Sequence, residues 1–189
     1  DSIELFTEYG GDILVKESVI IRALWDESIP DEKTVHEIEE ICDALKSEKP
    51  GHGLEELSMV VLGVLYKRMG KYDRGYNLLT EALVDVKRMG AKQSVCGIFL
   101  QLADLFARKG HQTNAETYAR FFVELAEREK YIYWREADIS SSRSVCELFP
   151  EKTREKPFFK MLSDMYVGSG YSNKTDIISK LTKIYCSFL

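Results

Sequence analysis

His36 and Glu40 stand four residues apart, the spacing that sets an imidazole and a carboxylate on one helix face. Such a pair can hold a metal ion or relay a proton. It can also be a solvated ion pair on an amphipathic helix, and that is the favoured reading. His52 and His111 lie far from it in sequence. Cys42, Cys96, Cys146 and Cys186 form no C-x-x-C pair and have no metal-ligand spacing with a histidine. Each sits among apolar neighbours, as buried reduced thiols do in a cytoplasmic protein. No H-E-x-x-H, G-x-S-x-G, P-loop or G-x-G-x-x-G pattern occurs. The sequence therefore points away from catalysis, and it implies no cofactor and no metal.

Two basic pairs, Lys67-Arg68 and Arg108-Lys109, have two readings. At the ends of helices they complement the negative helix C-terminus. On a groove they would form a cationic strip for a peptide carboxylate or an acidic side chain. The acidic runs Glu37–Glu40 and Glu124–Glu129 alternate with apolar residues and read as solvated helix faces. Asn173-Lys-Thr175 matches a glycosylation sequon, but nothing else in the sequence suggests secretion.

The elements that would carry these residues are helices. Apolar residues recur at helical spacing over Val15–Trp25, Thr34–Lys46, Leu54–Met69, Tyr72–Met89, Lys92–Lys109 and Ala115–Glu129. Ser28-Ile-Pro30-Asp31 ends the first and can start the second, and Thr113 or Asn114 can cap the last. Gly70, Gly90 and Gly110 mark tight turns. Beyond Glu129 the pattern degrades. An irregular unit over 131–155 and a C-terminal helix pair over 156–189 are expected, with no strand anywhere. Of the 189 residues, 44% are hydrophobic and 30% charged, enough for a packed core under a charged surface. The net charge of −5 argues against a broad nucleic-acid face. No run of eighteen apolar residues offers a membrane span, and no signal peptide is visible. The chain opens on Asp1 rather than Met and reads as a piece of a longer protein.

One pattern recurs. Leu62-Gly63, Tyr66 and Gly70 are followed forty residues on by Leu102-Ala103, Phe106 and Gly110, and more weakly by Leu162-Ser163, Tyr166 and Gly170. Met59 and Phe99 precede the first two copies. Gly75, Leu79 and Ala82 follow the first, and Ala115 and Ala119 the second. With these residues the chain resembles the tetratricopeptide-repeat family, although its spacing of 40 exceeds the usual period of about 34. The likeness is carried by residues 54–130. A small residue at 63 or 103 lets helices approach, the aromatic fills the space beside it, and the glycine reverses the chain.

The resemblance implies an all-α, right-handed solenoid of about four antiparallel helix pairs in a single domain over 1–189. It further implies a concave groove lined by the first helix of each pair. The groove face would present Leu57, Val60, Val64, Lys67 and Arg68, then Gly97, Leu100, Asp104, Ala107 and Arg108. Val60 and Val64 stand where the family's chaperone-tail binders carry polar residues, so that activity is not expected. The expected function is a non-enzymatic, cytoplasmic protein-interaction module. It would bind a peptide or partner helix through Val60, Val64 and Leu100, with Lys67, Arg68, Asp104 and Arg108 setting orientation. Tyr131, Tyr133 and Trp134 form a second candidate interface or, alternatively, core packing between pairs. Ile177, Ile178, Leu181, Ile184 and Leu189 offer a face for homodimerisation. The other reading is a ligand- or peptide-sensing domain of a transcription regulator, in which the DNA contact would belong to another part of the protein.

Overall fold

A computed structural model describes residues 2–26, 28–47 and 53–129, together with Ser141, Val145, Glu147 and Leu148, which are helical. The described residues hold six helices and no strand. They are α1 (Ser2–Trp25), α2 (Glu32–Ser47), α3 (Leu54–Arg68), α4 (Tyr72–Arg88), α5 (Lys92–Arg108) and α6 (Gln112–Arg128). Of the irregular unit expected over 131–155, Ser141, Val145, Glu147 and Leu148 alone are described, and the C-terminal pair and the dimerisation face lie outside the described residues.

Glycine punctuation sets the rhythm. Gly70, Gly90 and Gly110 take φ values of 74°, 71° and 78°, a conformation that a side chain resists. The Gly70 N–H donates to the Lys67 carbonyl at 3.0 Å, and the Lys71 N–H reaches back to the Tyr66 carbonyl at 2.9 Å. The same two bonds recur at Gly90 with Ala91 and at Gly110 with His111. This is a Schellman turn made three times, and it satisfies the helix-end carbonyls from the backbone alone. The chain reverses at each. Lys109, just past the end of α5, meets Asp73 at the start of α4 at 2.7 Å. Lys92 at the start of α5 meets Glu129, just past α6, at 2.9 Å. With a turn every twenty residues, α6 begins at Gln112, so Thr113 and Asn114 lie inside the helix rather than capping it.

The first half uses side chains for the same task. Asp31 accepts a hydrogen bond from the Thr34 N–H at 2.7 Å and so starts α2. The Thr34 hydroxyl first, and then this N–H, hold the Asp31 carboxyl below its ordinary range. Arg68 ends α1 from a distance: its guanidinium donates to the carbonyls of Ala23 at 3.2 Å and Leu24 at 2.9 Å, and to that of Asp26.

Packing follows from which helices are apolar all round. In α3, every residue from Ser58 to Lys67 is buried, and most of α5 is too. Helices α2 and α4 bury one stripe and expose the rest. Helix α3 adjoins both α1 and α5, and each of the three also packs on its even-numbered successor. The tightest approach is between α3 and α4. A Cβ on Gly75 would sit 2.9 Å from the Gly63 carbonyl oxygen and 3.3 Å from the Lys67 nitrogen, both fixed backbone atoms. A Cβ on Gly63 would sit 2.7 Å from Leu79 Cγ. The corresponding residues of the next pair, Ala103 and Ala115, are fully buried.

This contact gives a stability prediction. Alanine favours a helix interior over glycine by about 1 kcal/mol. At Gly75 the clash outweighs that gain, because backbone cannot step aside as a side chain can. Gly75→Ala is expected to destabilise the chain by about 1–3 kcal/mol, read as a lower urea midpoint at unchanged slope.

Candidate functional site: the shared face of α3 and α5

Lys67 lies one residue before the end of α3 and points into the protein. Its Nζ donates to Asp104 Oδ2 at 2.5 Å, Gln101 Oε1 at 2.6 Å and Ser141 Oγ at 3.3 Å. An ammonium has three protons, and all three are used. The Ser141 hydroxyl donates onward to Gln101 Oε1 at 3.0 Å. Arg108 Nε holds the other carboxylate oxygen of Asp104 at 2.8 Å from one turn along α5. Lys67, Gln101, Asp104 and Ser141 are each at most 3% exposed, whereas Arg108 keeps 39% of its side chain in contact with solvent. Burial pushes the Lys67 ammonium down from its usual range, and the Asp104 carboxylate pulls the other way.

The geometry has a simple origin. The two helix pairs repeat at 40 residues, and Lys67 meets Asp104 at a separation of 37, one turn back from its own equivalent on α5. From Asp104 the same step of 37 leads to Ser141. Lys67, Asp104 and Ser141 thus form an oblique ladder across three successive segments. Val145, one helical turn after Ser141, is completely buried in the same core as Val60, Val64 and Leu100. Chemically, the cluster is a seat for a hydroxyl group: Lys67 donates to it, Gln101 accepts from it, and an apolar bed receives the side chain one turn on.

The structure corrects the expected open groove. Val60, Val64 and Leu100 are 4%, 1% and 0% exposed, so they are core rather than groove wall. Lys67 and Asp104 are buried against each other. Arg68 is half-buried and occupied with the carbonyls of α1, and Arg108 keeps a solvent-facing side. The cationic strip does not form either: Lys109 pairs with Asp73. Tyr131, Tyr133 and Trp134 lie outside the described residues.

Two members of the cluster escaped the sequence reading. Gln101 carried a signal, since it is a polar residue inside an apolar run and sits three positions before Asp104 on one face. Ser141 carried none, being one of three consecutive serines.

Elsewhere the chemistry-bearing residues are placed plainly. His36 Nε2 lies 3.3 Å from Glu40 and its Nδ1 lies 3.9 Å from Glu39, all on the surface. Among the described residues no group of three or more His, Cys, Asp or Glu side chains is placed to hold a metal. Cys42 and Cys96 are buried thiols, and burial pushes the Cys42 thiol up. The Tyr66 hydroxyl donates to Glu39 and accepts from Arg74 at 3.3 Å. Among the described residues no helix is long and apolar enough to cross a membrane. No family model, curated protein or solved structure matches the chain.

Proposed function

We propose that this chain is a non-enzymatic protein-interaction module of tetratricopeptide-repeat type, a right-handed solenoid of helix pairs working in the cytoplasm. Its shared α3–α5 face holds a helical segment that presents a hydroxyl and, four residues later, a β-branched apolar side chain. The observation that carries this reading is the seating of Ser141 on Lys67 and Gln101 with Val145 buried one turn on. That arrangement is an instance of helix recognition made within the chain itself. A buried ion pair contributes little stability over an apolar replacement, while its geometry restricts what may sit beside it. A partner helix with the same two side chains would compete for the seat. The buried thiols of Cys42 and Cys96 accord with a reducing compartment.

The test uses the full chain carrying Val145→Ala, which weakens the internal occupant without burying a charge, with helical content checked by circular dichroism. The probe is a synthetic fluorescent peptide copying residues 139–149. Saturable binding is expected, about tenfold weaker for the unsubstituted chain, whose seat is already filled. Adding Lys67→Met should abolish it. A peptide that binds neither chain, or binds equally with and without Lys67, removes the seat as a recognition site.

A further inference from the structure

A second site lies apart from this face, where the C-terminal end of α4 meets the start of α5 and the second half of α6. There the surface opens into a cleft of about 550 Å³. Its floor is aromatic and aliphatic. Phe99 and Phe121 stand with ring centroids 5.5 Å apart, flanked by Val95 and Leu125. Phe121 is 42% exposed, unusual for a phenylalanine within a concavity. Lys87 Nζ lies 5.4 Å over the Phe99 ring, and among the described residues no carboxylate pairs with it. Lys92 and Arg128 line the same cleft, both already engaged by Glu129 at 2.9 and 3.2 Å. Glu124 is the remaining charge on the lining.

We propose that this cleft docks a short acidic peptide segment of a protein partner, one that sets an aspartate or glutamate beside an aromatic or leucine side chain. Charge decides the occupant. Three cations face two carboxylates, on a chain whose overall charge is −5. Among the described residues, one of those cations, Lys87, has an aromatic face and no carboxylate beside it. An incoming carboxylate can pair with Lys87 without displacing it from Phe99, because the ammonium keeps its other donors. The neighbouring apolar side chain covers Phe121, removing its exposed ring from water. Glu124 opposes the docked acid and sets which end of the segment lies near α6.

The site is independent of the hydroxyl seat, and its test separates the two. The probe is a fluorescein-labelled peptide of sequence Gly-Asp-Phe-Asp-Leu-Gly, titrated into the full chain at low salt and followed by fluorescence polarisation. Saturable binding is expected that weakens as salt rises. Lys87→Glu and Phe121→Ala should each weaken it tenfold or more, while Glu124→Gln should tighten it. The double variant Lys67→Met with Asp104→Leu, which removes the other seat's ion pair without leaving a buried charge unpaired, should leave it unchanged. The companion peptide Gly-Lys-Phe-Lys-Leu-Gly should not bind. Absence of saturable binding overturns the proposal. So does binding that survives Phe121→Ala, since diffuse attraction to the lysines would then account for it.

Discussion

Asp104→Ala should be among the most damaging single changes in the chain, costing about 3–5 kcal/mol, because it strands the Lys67 ammonium in the interior. In the parent protein Asp104 balances Lys67 at 2.5 Å and is itself held by Arg108 at 2.8 Å. Removing it leaves Lys67 only the neutral oxygens of Gln101 and Ser141, which solvate a charge poorly compared with water. The lysine then either stays charged at high cost or gives up its proton, and the fold weakens in both cases. The measurement is urea denaturation. The midpoint should fall steeply, and the loss should be largely recovered in the double variant Lys67→Met with Asp104→Leu, since an apolar pair of similar size avoids both desolvation costs. A single variant as stable as the parent would show that the ion pair is not buried as described. The exposed pair of Lys109 with Asp73 has comparable length, 2.7 Å, yet contributes little, because water already solvates both ends.

Leu100→Glu is the second large effect, and here the structure reverses an expectation. With Leu100 on an open groove, a glutamate there would weaken partner binding and leave the fold intact. Leu100 is instead fully buried, in contact with the core that also holds Val64 and Val145. The substitution removes a packed side chain, worth about 2–5 kcal/mol, and inserts a carboxyl with no partner. A loss of more than about 4 kcal/mol is expected, enough to unfold an ordinary domain of marginal stability. Loss of cooperative thermal unfolding and of helical circular dichroism would confirm it. A folded Leu100→Glu chain would restore the open groove. Val64→Glu should behave in the same way, at 1% exposure.

The helices were legible because their ends are written in glycine. Gly70, Gly90 and Gly110 fall where a left-handed residue is needed, and the boundaries of α3, α4 and α5 follow to within a residue. The close approach of Gly63 was legible too, because a residue lacking a Cβ amid bulky neighbours implies a crossing backbone. Exposure was not legible from the repeat pattern, which says which helix faces inward and not what lies upon that face. One signal was present and passed over. Met59 to Leu65 runs seven residues with no polar side chain, and Gly97 to Leu100 repeats this on a smaller scale. A helix apolar all round has no wall to offer a groove, because each side is already against something. The Lys67 cluster could not be foreseen, since Ser141 comes from a segment whose placement no local pattern fixes. The cleft at Phe99 and Phe121 was missed for a different reason. Both phenylalanines fit an amphipathic stripe, and nothing local marks Phe121 as uncovered.

Helical stacks in which each layer touches only the next tend to melt from their ends, each layer fraying on its own. The hydrogen bond from Lys67 to Ser141 joins residues 74 apart, and the same ammonium also holds Gln101 and Asp104 of α5. One ammonium therefore clasps three layers at once. Peeling away the last of them exposes a charge rooted in the first, so the layers share one fate instead of three. Amide exchange in α3 should therefore rise and fall together with that of the segment bearing Ser141, as one foldon. The size of that cooperative block is set by the reach of a single lysine side chain.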